Sequence, residues 1–368
     1  MKLDEKKLEA SIDAGLGLPA EWYVSDEIFE LETELIFERS WQCVGLASDL
    51  SHPGDYITAT IGRVPVVVLR DAGGSLRGYV NVCLHRCSVI AVGSGNSSRL
   101  QCPYHAWTYD LDGRLVSAPR SDREESFDCS DFRLADVRVE CLGPLVFANL
   151  DTDTISLEEQ LDGLEARVAA DGMVFDGLEH VRHWESEAAA NWKVLVENFN
   201  ECYHCPNAHP SFSRLLSVNP DQYVLETSRW TSRAVTPLRK YPEGAAPKYP
   251  YDPTGENDKG QFALFWPTFT LNQSPGPRRI VAFWFVPVAP DLTRLVSETF
   301  VDPTASAEQI ELMAKFSSSV AEEDRHLVES VQRGMRSGRV PRPRLMVDSE
   351  RLVQHFDQLV VQALGRPG

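Results

Sequence analysis

Several features are scarce in this 368-residue chain, and each scarcity excludes something. No stretch approaches the eighteen or more uncharged apolar residues of a membrane span, and the opening MKLDEKKLEASIDAG has no apolar signal core. There is no Lys/Arg-rich run, and the formal charge is −18, which argues against nucleic acid and against anionic membrane surfaces as partners. Eight cysteines are too few for a disulfide scaffold at this length; several sit beside histidines, which favours metal ligation in a reducing compartment. Internal repeats and low-complexity tracts are missing. A nucleotide fingerprint is missing too: GLGLPA at Gly15 has no strand before it, and Pro19 spoils the helix that should follow. These absences predict a cytoplasmic globular protein of roughly two domains, taking about 150 residues as the unit.

What is present changes texture along the chain. Residues 25–41 carry Ile28, Phe29, Leu31, Leu35, Ile36 and Trp41 behind a Ser25 or Asp26 cap, which predicts a short amphipathic helix. From 42 to about 150, β-branched runs such as DYITATI and RVPVVVLR alternate with Gly, Pro and Asp, as in a small antiparallel β-domain. Residues 151–184 read as a helical connection. Aromatic runs between about 223 and 300, FALFWPTFTLN and RIVAFWFVPV among them, predict a second, larger antiparallel sheet interrupted by a long loop over 236–260. From 306 onward Ile310, Met313, Phe316, Val320, Leu327, Val331 and Met335 follow a helix period. Asp324 falls on that stripe, whereas Glu322 and Glu323 fall off it.

Two stretches carry chemistry. In VCLHRC and QCPYHAW, Cys83 pairs with His85 and Cys102 with His105, with sixteen residues between the pairs. Facing each other, such loops would offer two thiolates and two imidazoles. That set suits a tetrahedral zinc site, or a two-iron cluster with cysteines on one iron and histidines on the other; spacing alone leaves both open. The second stretch is residues 191–210, NWKVLVENFNECYHCPNAHP. Asn198, Glu201 and His204 recur every three residues and would share one face of a helix that Pro206 stops. His209 could then turn back to meet His204. A pair of hydrogen-bonded core histidines is the plainer reading of this segment, a metal site the sharper one.

The surroundings CLHRC...CPYHAWTYDLDGRL resemble the Rieske iron–sulfur motif, with Asp112-Gly113 supplying the following hairpin turn. Cys87 stands where that motif usually has Gly or Ala, and Ala106 where it has Gly. The 191–210 run resembles the mononuclear-iron segment of Rieske non-heme oxygenases. The resemblance therefore covers most of the chain. It implies an α+β architecture: an N-terminal helical segment (1–40) packing on the catalytic domain, a small all-β Rieske domain (41–150), and a catalytic domain (151–368) with an antiparallel sheet flanked by helices, of helix-grip type.

The resemblance further implies a [2Fe-2S] cluster on Cys83, His85, Cys102 and His105, and a mononuclear Fe(II) on His204, His209 and Asp324. Burial of an Asp on an apolar stripe is rare without a compensating partner, so the residue pattern points independently to Asp324. Imidazole ligation raises such a cluster's potential to roughly −150 to +300 mV. Glu201 matches the family's acidic bridge between His105 of one subunit and His204 of the next, and Asn198 a group orienting the iron ligands. Glutamate at the bridge, with ECYHC and HAWTY, is similar to the branch acting on quaternary ammonium compounds such as carnitine, glycine betaine and stachydrine.

The implied function is the terminal oxygenase of a multicomponent monooxygenase. It would use O2 and electrons from NAD(P)H, delivered by a separate flavin/iron–sulfur reductase, work as a homotrimer, and N-demethylate a betaine-type substrate. Hydroxylation of an aromatic ring or another hydrophobic substrate is the alternative, and a non-catalytic electron carrier a third. A quaternary ammonium donates no hydrogen bonds and wants aromatic faces, which Tyr203, Phe265, Trp266, Phe283 and Trp284 could supply. A betaine's carboxylate would also want an arginine, which the sequence pattern does not single out.

Overall fold

A computed structural model describes residues 5–245 and 248–365. Its chain forms two compact units, one of residues 33–159 and one of residues 1–32 with 160–368. Helix α1 (Glu5–Asp13) and α2 (Asp26–Leu35) open the chain. Ser25 caps α2 by accepting the Ile28 N–H at 3.3 Å. The helix predicted to run to residue 41 ends earlier, and Phe37–Arg39 form a single 3-10 turn.

The smaller unit is all β. Strands β1 (Gln42–Leu46), β2 (Asp55–Ile61), β3 (Val64–Arg70), β4 (Leu76–Val80), β5 (Ser94–Asn96), β6 (Leu100–Gln101), β7 (Thr108–Tyr109), β8 (Leu115–Ser117), β9 (Asp136–Leu142) and β10 (Leu145–Asn149) follow one another. They make a seven-stranded antiparallel sheet, β1-β10-β9-β4-β3-β2-β5, and a three-stranded one, β6-β7-β8. Val67, Leu69, Tyr79, Leu100, Tyr109 and Leu115 form the core on which both Cys/His loops sit. Gly113 in the β7–β8 turn has φ +79, and a Cβ there would come within 2.7 Å of Tyr79, so the Asp-Gly turn needs its glycine.

The larger unit carries α3 (Leu157–Leu161, at the unit boundary), α4 (Leu164–Ala170), then β11 (Glu179–Ala188), α5 (Trp192–Phe199), α6 (Cys205–Ala208) and α7 (Pro210–Leu215). The helical connection predicted to reach residue 184 thus gives way to strand at 179. Next come β12 (Val224–Thr227), β13 (Thr231–Pro237), β14 (Lys259–Phe265), β15 (Phe269–Gln273), β16 (Arg279–Ala289), β17 (Leu292–Val301), α8 (Ala307–Arg336) and α9 (Arg351–Gly365). The strands build one antiparallel sheet, β11-β17-β16-β15-β14-β13-β12, with α5 and α8 packed together and α9 against β12 and β13. No described helix is long and apolar enough to cross a membrane.

Two features place the helices that matter. Helix α5 is anchored by a buried ion pair: Lys193 Nζ donates to Glu32 Oε1 and, at 3.0 Å, to the Trp22 carbonyl, while Trp192 Nε1 donates to Glu32 Oε2 at 2.8 Å. Helix α8 starts at a Ser306/Gln309 capping box and runs for 30 residues. Its inward stripe is Met313, Phe316, Val320, Asp324, Val328 and Gln332, not the predicted Leu327 and Val331, which are 37% and 43% exposed. Gln332 is buried because both its ends are bonded, accepting Asn191 N–H at 3.0 Å and donating to the Tyr23 carbonyl at 2.8 Å.

Candidate metal centres and substrate cavity

The two Cys/His loops of the β unit are near copies of each other. Cys83 N–H bonds the Ser88 carbonyl and Cys87 N–H returns to the Cys83 carbonyl; Cys102 N–H bonds the Trp107 carbonyl and Ala106 N–H returns to the Cys102 carbonyl. The fifth residue of each loop is left-handed, Cys87 at φ 54 and Ala106 at φ 58. These are the two positions where the Rieske motif prefers small residues, and the conformation explains why: a Cβ is strained there. Cys87 thus owes its place to a turn, and its exposed thiol is not among the four grouped donors.

The donor set fits a two-iron cluster better than zinc. Cys83 and Cys102 are 1% and 3% exposed, whereas His85 and His105 are exposed, with ring centroids 4.6 Å apart. A structural zinc site is closed around its ion; this one is thiolate inside and imidazole outside, as two differently ligated irons require. Burial raises the Cys102 thiol, but hydrogen bonds from the Tyr104 and His105 backbone and from Cys83 outweigh it, leaving the pKa below the ordinary thiol value. Tyr109 Oη sits 3.4 Å from Cys83 Sγ and accepts the Leu84 N–H at 3.0 Å.

In the larger unit the 191–210 segment departs from the single helix that its periodicity predicts. Helix α5 ends at Phe199, with Asn200 as its C-cap; the Asn200 side chain accepts from Ser232 Oγ at 2.8 Å and is buried there. Glu201 and His204 therefore lie on the loop after α5 rather than on one helical face with Asn198. Pro206 does not stop a helix: it lies in the first turn of α6, where its missing N–H costs nothing. His204 and His209 are the two caps of this four-residue helix, and that places them together. A disulfide joins Cys202 to Cys205, so these two cysteines are not available as ligands, contrary to the general expectation for the His-adjacent cysteines. The other six are free.

Three donor atoms converge. His204 Nε2 and His209 Nε2 are 3.0 Å apart, His209 Nε2 and Asp324 Oδ1 3.1 Å, and His204 Nε2 and Asp324 Oδ1 3.4 Å. Ligands about 2.1 Å from a metal stand ~3.0 Å apart at right angles and ~3.4 Å apart in a tetrahedron. Two of the three edges match right angles, as in a two-histidine, one-carboxylate face with open positions opposite. Each donor is steered by a second group: Glu201 bonds His204 Nδ1, Glu323 bonds His209 Nδ1 at 2.9 Å, and Asn198 Nδ2 donates to Asp324 Oδ1 at 3.1 Å. Glu323 lies off the apolar stripe, as its position predicts, and holds His209 from behind. Burial lowers the His204 pKa, but Asp324 and Glu201 more than reverse this and carry it to about 9. The cage thus attracts a cation.

The triad opens on a cavity of about 900 Å3 between α5, the sheet and α8. Of the predicted aromatic residues, Tyr203 and Phe283 line it, and so do the unpredicted Trp184, Phe262 and Phe285. Phe265, Trp266 and Trp284 do not. Alternate residues of a strand face opposite ways, so Phe265 points away from the Phe262 side and Trp284 away from the Phe283 side. Trp266 packs on Trp192 and Phe356 in the core, with ring centroids 6.4 and 5.8 Å away.

Comparison with known proteins agrees with both centres. Residues 40–136 match the Rieske [2Fe-2S] domain, and residues 175–366 match the catalytic domain of ring hydroxylating alpha subunits. The chain belongs to the Rieske non-heme iron oxygenases, as a monooxygenase oxygenase subunit carrying a [2Fe-2S] cluster and a mononuclear iron site.

Within that family it is similar to proteins named for quaternary ammonium substrates. It is 33% identical to the carnitine monooxygenase oxygenase subunit of Acinetobacter baumannii over 363 residues, 96% of each chain. It is 29% identical to the chloroplastic choline monooxygenase of Spinacia oleracea, over 94% of this chain and 78% of that one. Among solved structures, the quaternary ammonium monooxygenase CntA in complex with L-carnitine superposes with a TM-score of 0.83 at 32% identity, over 99% of both chains. Naphthalene 1,2-dioxygenase from Rhodococcus, at 20% identity and TM-score 0.81, shares the fold.

Proposed function

We propose that this oxygenase hydroxylates an N-methyl group of a quaternary ammonium compound and thereby demethylates it. The observation that carries the reading is the His204, His209 and Asp324 triad opening directly on a cavity walled by aromatic rings. Aromatic faces stabilise a desolvated quaternary ammonium by about 2 kcal/mol, and acidic Glu201 and Asp324 in the cavity wall add to the attraction.

An iron held by His204, His209 and Asp324 would supply dioxygen activation, and a cluster on Cys83, His85, Cys102 and His105 would supply the electrons. One atom of O2 enters the C–H bond; the other leaves as water, with two electrons from a separate flavin/iron–sulfur reductase and two protons. The N-hydroxymethyl product breaks its C–N bond, giving formaldehyde, a tertiary amine and a proton. Around this, the chain's own residues hold position: Glu201 and Glu323 fix the imidazoles with Nε2 turned to the metal, and Asn198 fixes Asp324.

The proposal includes a homotrimer in which the exposed His105 of one subunit approaches Glu201 of the next, and a cytoplasmic setting that supplies the NAD(P)H-fed reductase. Inter-subunit electron transfer named for CntA supports the first, and six free cysteines fit the second. The test is single turnover of the reduced holoenzyme with O2 and a panel of betaines, choline and aromatic acids, reading formaldehyde and the demethylated amine. Formaldehyde stoichiometric with substrate is expected; ring-hydroxylated acids with no formaldehyde from any ammonium compound would overturn the reading.

A further inference from the structure

Arg279, first residue of β16, is 5% exposed and lies in the cavity wall. Its guanidinium donates to Ser317 Oγ at 3.0 Å and to the Met313 carbonyl at 3.4 Å, both on α8. No carboxylate among the described residues comes within ion-pairing reach of it. The other arginines of the wall differ: Arg325 is paired with Glu322 at 2.5 Å, and Arg351 is exposed and bonded to the Leu225 carbonyl.

The groups beside Arg279 do not supply the missing charge. Burial pushes the Tyr251 phenol well above its ordinary value, so it stays neutral, and its hydroxyl is donated to the Pro275 carbonyl at 2.9 Å. Ser274 and Ser317, also in the wall, are neutral. Burial draws the guanidinium down to about 10, which still leaves it charged at neutral pH. A buried cation without a counter-ion is costly to fold around, by several kcal/mol, unless something completes it. A guanidinium offers five donors in a fork matched to a carboxylate, and only two protein acceptors occupy it here.

We propose that Arg279, with Ser317 and Ser274 beside it, is the carboxylate-binding end of the cavity, and that the substrate is a zwitterion with a quaternary ammonium at one end and a carboxylate at the other. This rests on the quaternary-ammonium reading and narrows it. The cavity is polarised in the sense such a molecule needs, with Glu201 and Asp324 toward one end and Arg279 toward the other. Helix α8 sets the span. Ser317 and Asp324 are seven residues apart, two turns on nearly one face, so the ends are about 10 Å apart along the axis. A trimethylammonio carboxylate with several carbons between its charges bridges that length with a hydrogen bond at one end and a methyl group offered to the iron at the other. Choline has the ammonium and lacks the anion.

The test measures calorimetric binding and single-turnover kcat/KM of the holoenzyme for γ-butyrobetaine, glycine betaine and choline, in wild type, Arg279→Gln and Arg279→Lys. Cluster absorbance and the thermal transition verify folding of each variant. A bidentate, charge-assisted contact predicts that γ-butyrobetaine is preferred to choline by about 10²-fold and that Arg279→Gln erases most of this ratio. Arg279→Lys, which keeps the charge and loses the fork, should fall between. Equal wild-type affinity for γ-butyrobetaine and choline would overturn the subsite while leaving ammonium oxidation standing. So would a loss in Arg279→Gln that is the same for both ligands, because that marks a purely structural strut between β16 and α8. Failure of every ammonium compound to bind or turn over would overturn both proposals.

Discussion

Replacing Lys193 by Met tests how the iron-bearing segment is anchored. Lys193 and Glu32 are both 0% exposed, and α5 departs from them toward Asn198 and the ligand loop. Even with the ammonium present, burial outweighs Lys193 and holds the Glu32 pKa above its ordinary 4.5. Without Lys193 the carboxylate keeps only Trp192 as a partner, and it takes up a proton rather than stay charged. At pH 7 that proton is taken up well above the ordinary carboxyl value, a cost of about 3 kcal/mol. The sign follows from proton counts. Between 4.5 and its raised folded-state value, Glu32 in the variant is protonated when folded and ionised when unfolded. The folded state then binds the extra proton, so stability falls as pH rises.

Wild type, with Glu32 already raised, carries part of this cost, so the deficit against it should be at most about 3 kcal/mol at pH 7 and at most about 1 kcal/mol at pH 5.5. For a unit of roughly 240 residues, the larger value lowers Tm by at most about 6–12 °C. Calorimetric or urea unfolding at the two pH values measures it. Glu32→Leu combined with Lys193→Met removes both charges and should recover most of the loss, with little pH dependence. A Lys193→Met deficit that is the same at both pH values, or a double variant no better than the single, would refute the reasoning.

Glu323→Gln should weaken iron retention about 10- to 100-fold while leaving the cluster spectrum intact, since Glu323 orients His209 from behind; metal analysis after dialysis reads it, and unchanged iron content would count against the role. Glu201→Gln should keep both metals but slow single-turnover product formation; an unaltered rate would remove Glu201 from the electron path. At Ala106, whose φ is 58, glycine should raise the temperature of cluster bleaching by relieving roughly 1 kcal/mol of strain, and valine should lower it. Equal bleaching temperatures for the three would show that the turn carries no strain.

The parts of the sites that could be read from the sequence are those whose geometry is local. Each Cys/His pair sits within one short loop, so spacing and turn chemistry nearly determine how the donors meet. Asp324 was legible because an acid on an apolar stripe is anomalous. The stripe itself was misread past it, because its next inward members after Val320 are Asp324, Val328 and Gln332, and two of these three are polar; a search for apolar period jumps instead to Leu327. Glu323 was missed because its role comes from His209, 114 residues away in sequence, which meets it only in the fold. In FALFW and AFWF, adjacent aromatics cannot all face one cavity, and composition alone does not tell which parity looks inward. The break after Phe199 depends on Asn200 meeting Ser232 on β13, and Arg279 stands out only through a missing counter-ion. Neither fact exists until distant segments have met.

The alternation along β16 bears on how the cavity of such an oxygenase can be reshaped. Arg279, Val281, Phe283 and Phe285 all face the cavity from one strand, while His204 and His209 cap α6 and Asp324 stands on α8. This wall of the cavity thus lies apart from the three converging donors, although Tyr203 and Ser317 line the cavity from the same loop and helix as those donors. Single replacements at every second position of β16 therefore reshape this wall without touching the three converging donors.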